Sequence, residues 1–224
     1  MTGSYVIEGG MINMFSCAFC GKNVCERGEL GDAPKGCPSF EKAYTEVESL
    51  YSEDELRIAR TAARVEAEGY GRNTRVEEIM SFARKLGMKK LGLAFCSGLK
   101  REANIFAKIL TENGFEVVSA KCKMGAQPKE RLGLNDDEKV RPGQFEAMCN
   151  PAAQAEYLDD NGAELSIILG LCVGHDTLFI KHAKAPVTVL ATKDRVLAHN
   201  PLGALYMSES YYKRIHQFPE NVRK

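Results

Sequence analysis

The stretch Ile167-Ile168-Leu169-Gly170-Leu171-Cys172-Val173-Gly174-His175-Asp176 joins an unbroken apolar run to a thiol, a histidine and an acid. Such runs mark strands buried on both faces of a parallel sheet. Open α/β sheets carry their chemistry beyond the carboxyl ends of the strands, and Cys172 falls at that place. Cys96 closes a second run, Leu91-Gly92-Leu93-Ala94-Phe95-Cys96-Ser97-Gly98, and Cys122 closes a third, Phe115 to Cys122. Cys149 precedes Asn150-Pro151, a helix-start signature, where the helix dipole favours a thiolate. Thiolates are both soft-metal ligands and nucleophiles. Cys96, Cys122, Cys149 and Cys172 are therefore candidate ligands of one metal ion or iron–sulfur cluster, with a metal-free cysteine catalyst as the alternative.

Polar residues accompany these thiols. His175 and Asp176 follow Cys172 and are the candidate catalytic pair, His175 as proton donor, base or further ligand. Ser97, with Gly98 at a helix start, is a candidate anion cradle. Lys193 and Arg195 follow a fourth apolar run and are candidates for holding an anionic substrate or offsetting a negative cluster. His182 and His216 read as structural. The chain has no Gly-x-Gly-x-x-Gly and no phosphate-loop lysine pattern, so nothing supports a nucleotide.

A second group of thiols lies near the amino terminus. Cys17, Cys20, Cys25 and Cys37 are spaced C-x2-C-x4-C-x11-C. The first pair, followed by Gly21, has the form of a zinc knuckle, in which a tight turn sets two sulfurs on one ion. The loop between Cys25 and Cys37 holds Gly28, Gly31, Pro34 and Gly36 and few apolar residues. A metal would supply the folding free energy such a loop lacks. Zinc fits a tetrathiolate best; an iron–sulfur cluster, two disulfides or free thiols are the alternatives.

These residues need a scaffold, and the patterning supplies an α/β one. Apolar runs over about 90–96, 115–121, 164–171 and 186–191 predict four strands. Helices are expected between them: one carrying Ile105, Phe106, Ile109 and Leu110, one from Asn150-Pro151 to Asn161-Gly162, and a short one from Gly174 to Ala183. Strand–helix alternation implies a parallel, flavodoxin- or Rossmann-like sheet with helices on both faces and strand order 2-1-3-4. The segment from Cys122 to Cys149 is too long for an idle loop and is a candidate lid or wall. A last helix is expected from Asn200-Pro201 to about Ile215.

Three regions follow: a leader and four-cysteine module over 1–38, a helical linker over 39–87, and an α/β domain with a cysteine-lined crevice over 88–224. In the linker, Tyr44, Val47, Leu50 and Tyr51 recur at helical spacing, and Ser52-Glu53-Asp54-Glu55 and Thr74-Arg75-Val76-Glu77 are capping boxes. Lysine plus arginine equals aspartate plus glutamate, 30 each, so no global field recruits nucleic acid or an anionic membrane. No run reaches membrane-span length, and residues 1–16 lack the pattern of a signal peptide. The expected setting is cytoplasmic, where eight cysteines point to ligands or catalysts before structural disulfides.

Taken together, several stretches resemble one family. They are the four-cysteine amino terminus, Phe95-Cys96-Ser97-Gly98-Leu99, Lys121-Cys122-Lys123, Glu146-Ala147-Met148-Cys149-Asn150-Pro151, Gly170 to Asp176, and Ala185-Pro186-Val187-Thr188 through Asn200-Pro201. The likeness is to the prokaryotic group filed as domain of unknown function 1847, and it runs from Cys17 to about Leu205. It implies a metal-binding label, best attached to Cys17, Cys20, Cys25 and Cys37, and an anaerobic setting that would suit an oxygen-sensitive cluster. It implies no reaction.

The expected function is therefore a metal-binding protein with a zinc module and a second, cysteine-lined metal or iron–sulfur site of redox or sulfur chemistry. A metal-free cysteine enzyme and a non-catalytic metal sensor or trafficking protein are the alternatives. The expected partners are a metal ion and a small anionic or sulfur-containing substrate, not nucleic acid or membrane. If the amino-terminal site is structural, Cys20→Ser should remove one metal equivalent, measured by elemental analysis, while circular dichroism shows the α/β core still folded.

Overall fold

The computed structural model describes residues 6–7, 10–11, 17–40 and 42–219. Most of the expected leader lies outside these residues; within it, Val6–Ile7 pairs antiparallel with Gly10–Met11. The chain divides into two units, Met1–Arg64 and Val65–Lys224.

In the first unit the cysteine loop is built from single turns: Cys17–Phe19, Val24–Arg27, Leu30–Asp32 and Pro38–Phe40. Over residues 17–40 only Val24 and Cys37 are buried, as the poor apolar content of the loop foretells. The helical spacing of Tyr44, Val47, Leu50 and Tyr51 does not produce one helix. It gives two separate turns, Lys42–Thr45 and Val47–Leu50, interrupted at Glu46 (φ −86°, ψ 80°), and all four apolar side chains are exposed. An apolar stripe sustains a helix only where a surface buries it. Helix α1, Glu53–Gly69, starts where expected. Glu55 accepts from the Ser52 amide at 2.7 Å and returns its own amide to the Ser52 hydroxyl at 3.4 Å.

The second unit is a doubly wound α/β layer structure. Helix α2, Arg75–Lys85, opens on the Thr74–Glu77 capping box. Strand β1, Lys90–Phe95, leads through a 3-10 turn at Ser97–Leu99 into α3, Lys100–Glu112. Strand β2 is Glu116–Lys121, α4 is Pro151–Asp160, and β3 is Leu165–Leu169. Helix α5, His175–His182, precedes β4, Val187–Ala191. All pairings are parallel and the spatial order is β2-β1-β3-β4, the expected 2-1-3-4.

The pleat sorts the core into two clusters, one per face. Leu91, Leu93, Leu165, Ile167 and Leu169 pack with Ile79, Met80 and Ala83 of α2 and with Ala103, Phe106 and Leu110 of α3. Ala94, Ala120 and Ile168 pack on the other face with Ala155 and Leu158 of α4 and Phe179 of α5. Cys96 and Cys122 belong to this second cluster. Helix α4 comes close to β1 because position 92 is glycine; a Cβ there would lie 3.1 Å from a Leu158 methyl and 2.9 Å from the Ser166 hydroxyl.

The final helix is shorter than expected. Helix α6 covers only Leu202–Tyr206 and stops at Met207 (φ −107°). Both the amide and the hydroxyl of Ser210 bond back to the Met207 carbonyl, at 3.1 and 3.3 Å, a local competition that serine offers against helix propagation. A 3-10 segment, Lys213–Gln217, follows.

Where β3 ends, Gly170 adopts φ +66° and turns the chain toward Cys172; a Cβ at this position would lie 2.0 Å from a Leu99 methyl. Gly170→Ala should therefore cost about 1–3 kcal/mol through left-handed strain and crowding, read as a lowered urea midpoint of the α/β transition.

Candidate functional site

The thiols reach one edge of the sheet because the ladder carries them there. The Cys96 amide donates to Leu169 O at 3.1 Å and the Cys122 amide to Phe95 O at 2.9 Å, so both residues extend the parallel ladder one step past the named strands. Beyond Cys122 the chain makes an excursion and returns at Cys149, where the Asn150 amide donates to Cys122 O at 2.8 Å. The excursion is stitched by Met148 N to Gln127 O (2.8 Å) and Lys129 N to Glu146 O (3.0 Å). Lys139, almost wholly buried, staples it from inside, its ammonium bonded to Asp136 (2.5 Å), Glu130 (2.9 Å) and the Gln144 carbonyl (2.8 Å). The expected lid or wall is thus a closed, internally bonded excursion whose stem holds Cys122 against Cys149.

Asn150 caps α4, accepting from the Ala153 amide at 3.2 Å, with Pro151 at the first helical position. Gln154, on the buried face of α4, has no accessible surface. Its amide nitrogen donates to Ala120 O at 2.7 Å and reaches Phe95 O at 3.4 Å. It ties α4 to the last rungs of β1 and β2, just before Cys96 and Cys122. Sequence reasoning missed this clamp. Its signal was a glutamine on the same helical stripe as Pro151, Ala155 and Leu158.

Cys122 is the centre of the thiol group. Its sulfur accepts from the Ser97 amide at 3.2 Å, lies 3.4 Å from the Ser97 hydroxyl, and is in hydrogen-bond contact with both Cys96 and Cys149. Cys122 thus lies between Cys96 and Cys149 and acts on their thiols in opposite directions. Donation to Cys122 and burial push the Cys96 thiol up to about 12, against the opposing pull of the Gly98 amide and Lys193. At the other end, the hydrogen bond from Cys122 outweighs burial and, with the Lys123 ammonium, pulls Cys149 down to about 6. A pKa in that range makes Cys149 a thiolate at neutral pH, and partial exposure leaves it within reach of solvent.

Cys172 lies three residues before α5, and its carbonyl accepts from the His175 and Asp176 amides at 2.9 and 3.1 Å. Its sulfur accepts from Arg195 Nη2 at 3.1 Å, and this contact raises Arg195 further above its ordinary value. His175 is lowered, first by burial and then by the Lys123 charge, against Asp176 and Cys96, so it is a neutral imidazole at neutral pH. Asp176 accepts from the Thr177 amide at 2.8 Å. Lys193 bonds to the Cys96 sulfur.

The structure therefore brings Cys96, Cys122, Cys149 and Cys172 to one edge with Ser97, His175, Asp176, Lys193 and Arg195. Ser97 does not present a free anion cradle, because its amide is spent on Cys122. Lys123, which bonds to Ala147 O and acts on both Cys149 and His175, joins the site without having been singled out. Cys17, Cys20, Cys25 and Cys37 lie in the other unit. All eight cysteines are free thiols. The amides of Lys22 and Asn23 point at the Cys20 sulfur and lower its pKa. Among the described residues, no three His, Cys, Asp or Glu side chains stand grouped as a metal ion would need, and no helix is long and apolar enough to cross a membrane.

A family model described as protein of unknown function, DUF1847, matches residues 37–190. The chain belongs to the DUF1847 family. An uncharacterized protein of Methanocaldococcus jannaschii is 43% identical over 201 residues, covering 89% of this chain and 97% of the relative. The DUF1847 match spans β1 to β4, all four core thiols and His175; it stops before Lys193 and Arg195 and takes in only Cys37 of the amino-terminal four.

Alkylation of Cys149 by iodoacetamide, followed by peptide mass analysis, should rise with pH through a midpoint near 6, where the thiol ionises. Because Cys122 stabilises the thiolate by donating to it, Cys122→Ala should move that midpoint upward. An unshifted midpoint would remove Cys122 from that role.

Proposed function

We propose that the α/β domain works through a reactive thiolate, Cys149, in redox or sulfur chemistry, with Cys122 as its resolving partner. The observation that carries this reading is the position of Cys122, whose sulfur accepts from the Ser97 amide at 3.2 Å and whose carbonyl accepts from the Asn150 amide at 2.8 Å, which sets it beside Cys149 at the stem of the excursion. A nucleophilic thiolate needs a lowered pKa, access, and a second thiol within reach to take over the bond it forms; Cys149 and Cys122 meet these needs. Cys96, held protonated, supplies the hydrogen bond that polarises Cys122. His175, neutral and beside the cluster, is the group suited to accept a proton.

A second reading is that the same four thiols hold a soft metal ion or an iron–sulfur cluster. It is favoured by four sulfurs from separate elements sharing one edge with Lys193 and Arg195 placed on two of them. Cys96, Cys122, Cys149 and Cys172 would be the ligands, and such a centre would supply electron transfer or Lewis acidity. In the first unit we propose a structural zinc held by Cys17, Cys20, Cys25 and Cys37; the amides aimed at Cys20 are the outer-shell contacts a thiolate ligand uses.

The reduced protein, equilibrated in a graded dithiothreitol redox buffer and digested, should yield a Cys122–Cys149 disulfide with the loss of two hydrogens. Cys149→Ser should abolish it. Anaerobic metal and sulfide analysis of the same preparation separates the second reading: a centre lost alike in Cys122→Ala and Cys172→Ala, but kept in Cys20→Ala, would replace the disulfide mechanism.

A further inference from the structure

Three cations stand around the thiols without a carboxylate to neutralise them. Arg195 is bonded to the Cys172 sulfur at 3.1 Å, Lys193 to the Cys96 sulfur, and Lys123 to a backbone carbonyl. Among the described residues none of the three forms a salt bridge. The nearby acids are engaged elsewhere. Glu146 pairs with Lys129 at 2.5 Å, Asp194 accepts from the Val196 and Leu197 amides at 2.9 and 2.8 Å, and Asp176 accepts from Thr177 at 2.8 Å.

The path of Lys193 is built into the backbone. Its ammonium lies 3.3 Å from where a Cβ of Gly98 would stand, and its stem lies 4.0 Å from where a Cβ of Gly170 would stand. Two glycines therefore leave the gap through which this lysine reaches the thiol cluster. A side chain at position 98 would crowd the ammonium away. Lys193 and Arg195 thus present cationic groups beside the thiols at one edge of the sheet.

We propose that the substrate of this site is a small anionic disulfide, its negative groups met by Lys193 and Arg195 while its sulfur–sulfur bond lies against Cys149. This rests on the thiolate reading above and names its substrate class. In the first step the Cys149 thiolate bonds to one substrate sulfur; the substrate sulfur–sulfur bond breaks and the departing thiolate leaves with the electron pair. Cys122 then attacks Cys149 Sγ, giving its proton to solvent, and the second substrate sulfur leaves as a thiolate. The two departing thiolates take up protons according to pH. The protein dithiol is oxidised by two electrons, and the disulfide is reduced to two thiols.

The test uses the full reduced chain at neutral pH with three probes: 3,3′-dithiodipropionate (anionic), 2-hydroxyethyl disulfide (neutral) and cystamine (cationic). Mixed disulfide or Cys122–Cys149 product is quantified at Cys149 by quenching, digestion and mass spectrometry. Each rate is divided by that of 2-mercaptoethanol with the same probe. We expect the anionic probe to exceed the neutral one by roughly tenfold, the cationic probe to fall below it, and added salt to shrink the spread. Lys193→Gln and Arg195→Gln should each lower the ratio of the anionic to the neutral rate toward one, since the loss of a cation removes attraction for the anionic probe alone. Reaction with all three probes at equal relative rates would overturn the anionic substrate and leave the thiolate reading standing. No reaction at Cys149 with any probe would overturn both.

Discussion

Parallel pairing is the constraint on which the rest of this structure depends. Strand β1 is hydrogen-bonded on one side to β2 and on the other to β3, all running the same way. An antiparallel neighbour would send its following loop to the opposite edge; a parallel one delivers every strand end to the same place. Cys96, Cys122 and Cys172 come after three adjacent strands and so gather without any attraction between them. The right-handed crossovers then put α3 on one face, where α2 also packs, and α4 and α5 on the other. The amino terminus of α4 thereby adds Cys149 to the group.

The gathered sulfurs would be ordinary buried thiols if their surroundings were apolar. They are not. The Ser97 amide, Lys193, Arg195 and Lys123 all aim positive charge or polar hydrogens at them, and the thiols bond to one another. In a low-dielectric edge these interactions separate the members of the group sharply. Cys96 is held as a thiol and Cys149 as a thiolate, the first just past the end of β1 and the second just before the start of α4. The difference arises from their surroundings: burial and Cys122 act together to raise Cys96, whereas Cys122 and the Lys123 ammonium outweigh burial at Cys149.

Much of this was legible in the sequence because it depends on local rules. Apolar runs gave the four strands, and alternation with helices gave their order. Asn150-Pro151 and the two capping boxes marked helix starts that the structure keeps. What was not legible depends on side chains meeting across the fold. Gln154 looks like any polar residue until its amide is seen spanning β1 and β2. Lys123 gains meaning only when the excursion beyond Cys122 folds back to bring Ala147 and Cys149 beside it. The apolar spacing at Tyr44–Tyr51 misled because periodicity reports a stripe and not the surface that must cover it, and the helix after Pro201 ended early because Ser210 offers the Met207 carbonyl a competing bond.

The two glycines that admit Lys193 tie distant positions of the chain into one heritable unit. While the lysine is present, a side chain at position 98 would displace the ammonium by a few tenths of an ångström, and position 170 is doubly restricted by its left-handed backbone and by Leu99. If the lysine were lost, position 98 would be released, whereas position 170 would stay fixed by its backbone. Substitution at 98 should thus be easier in lineages where 193 has already changed, whereas 170 stays restricted in every lineage.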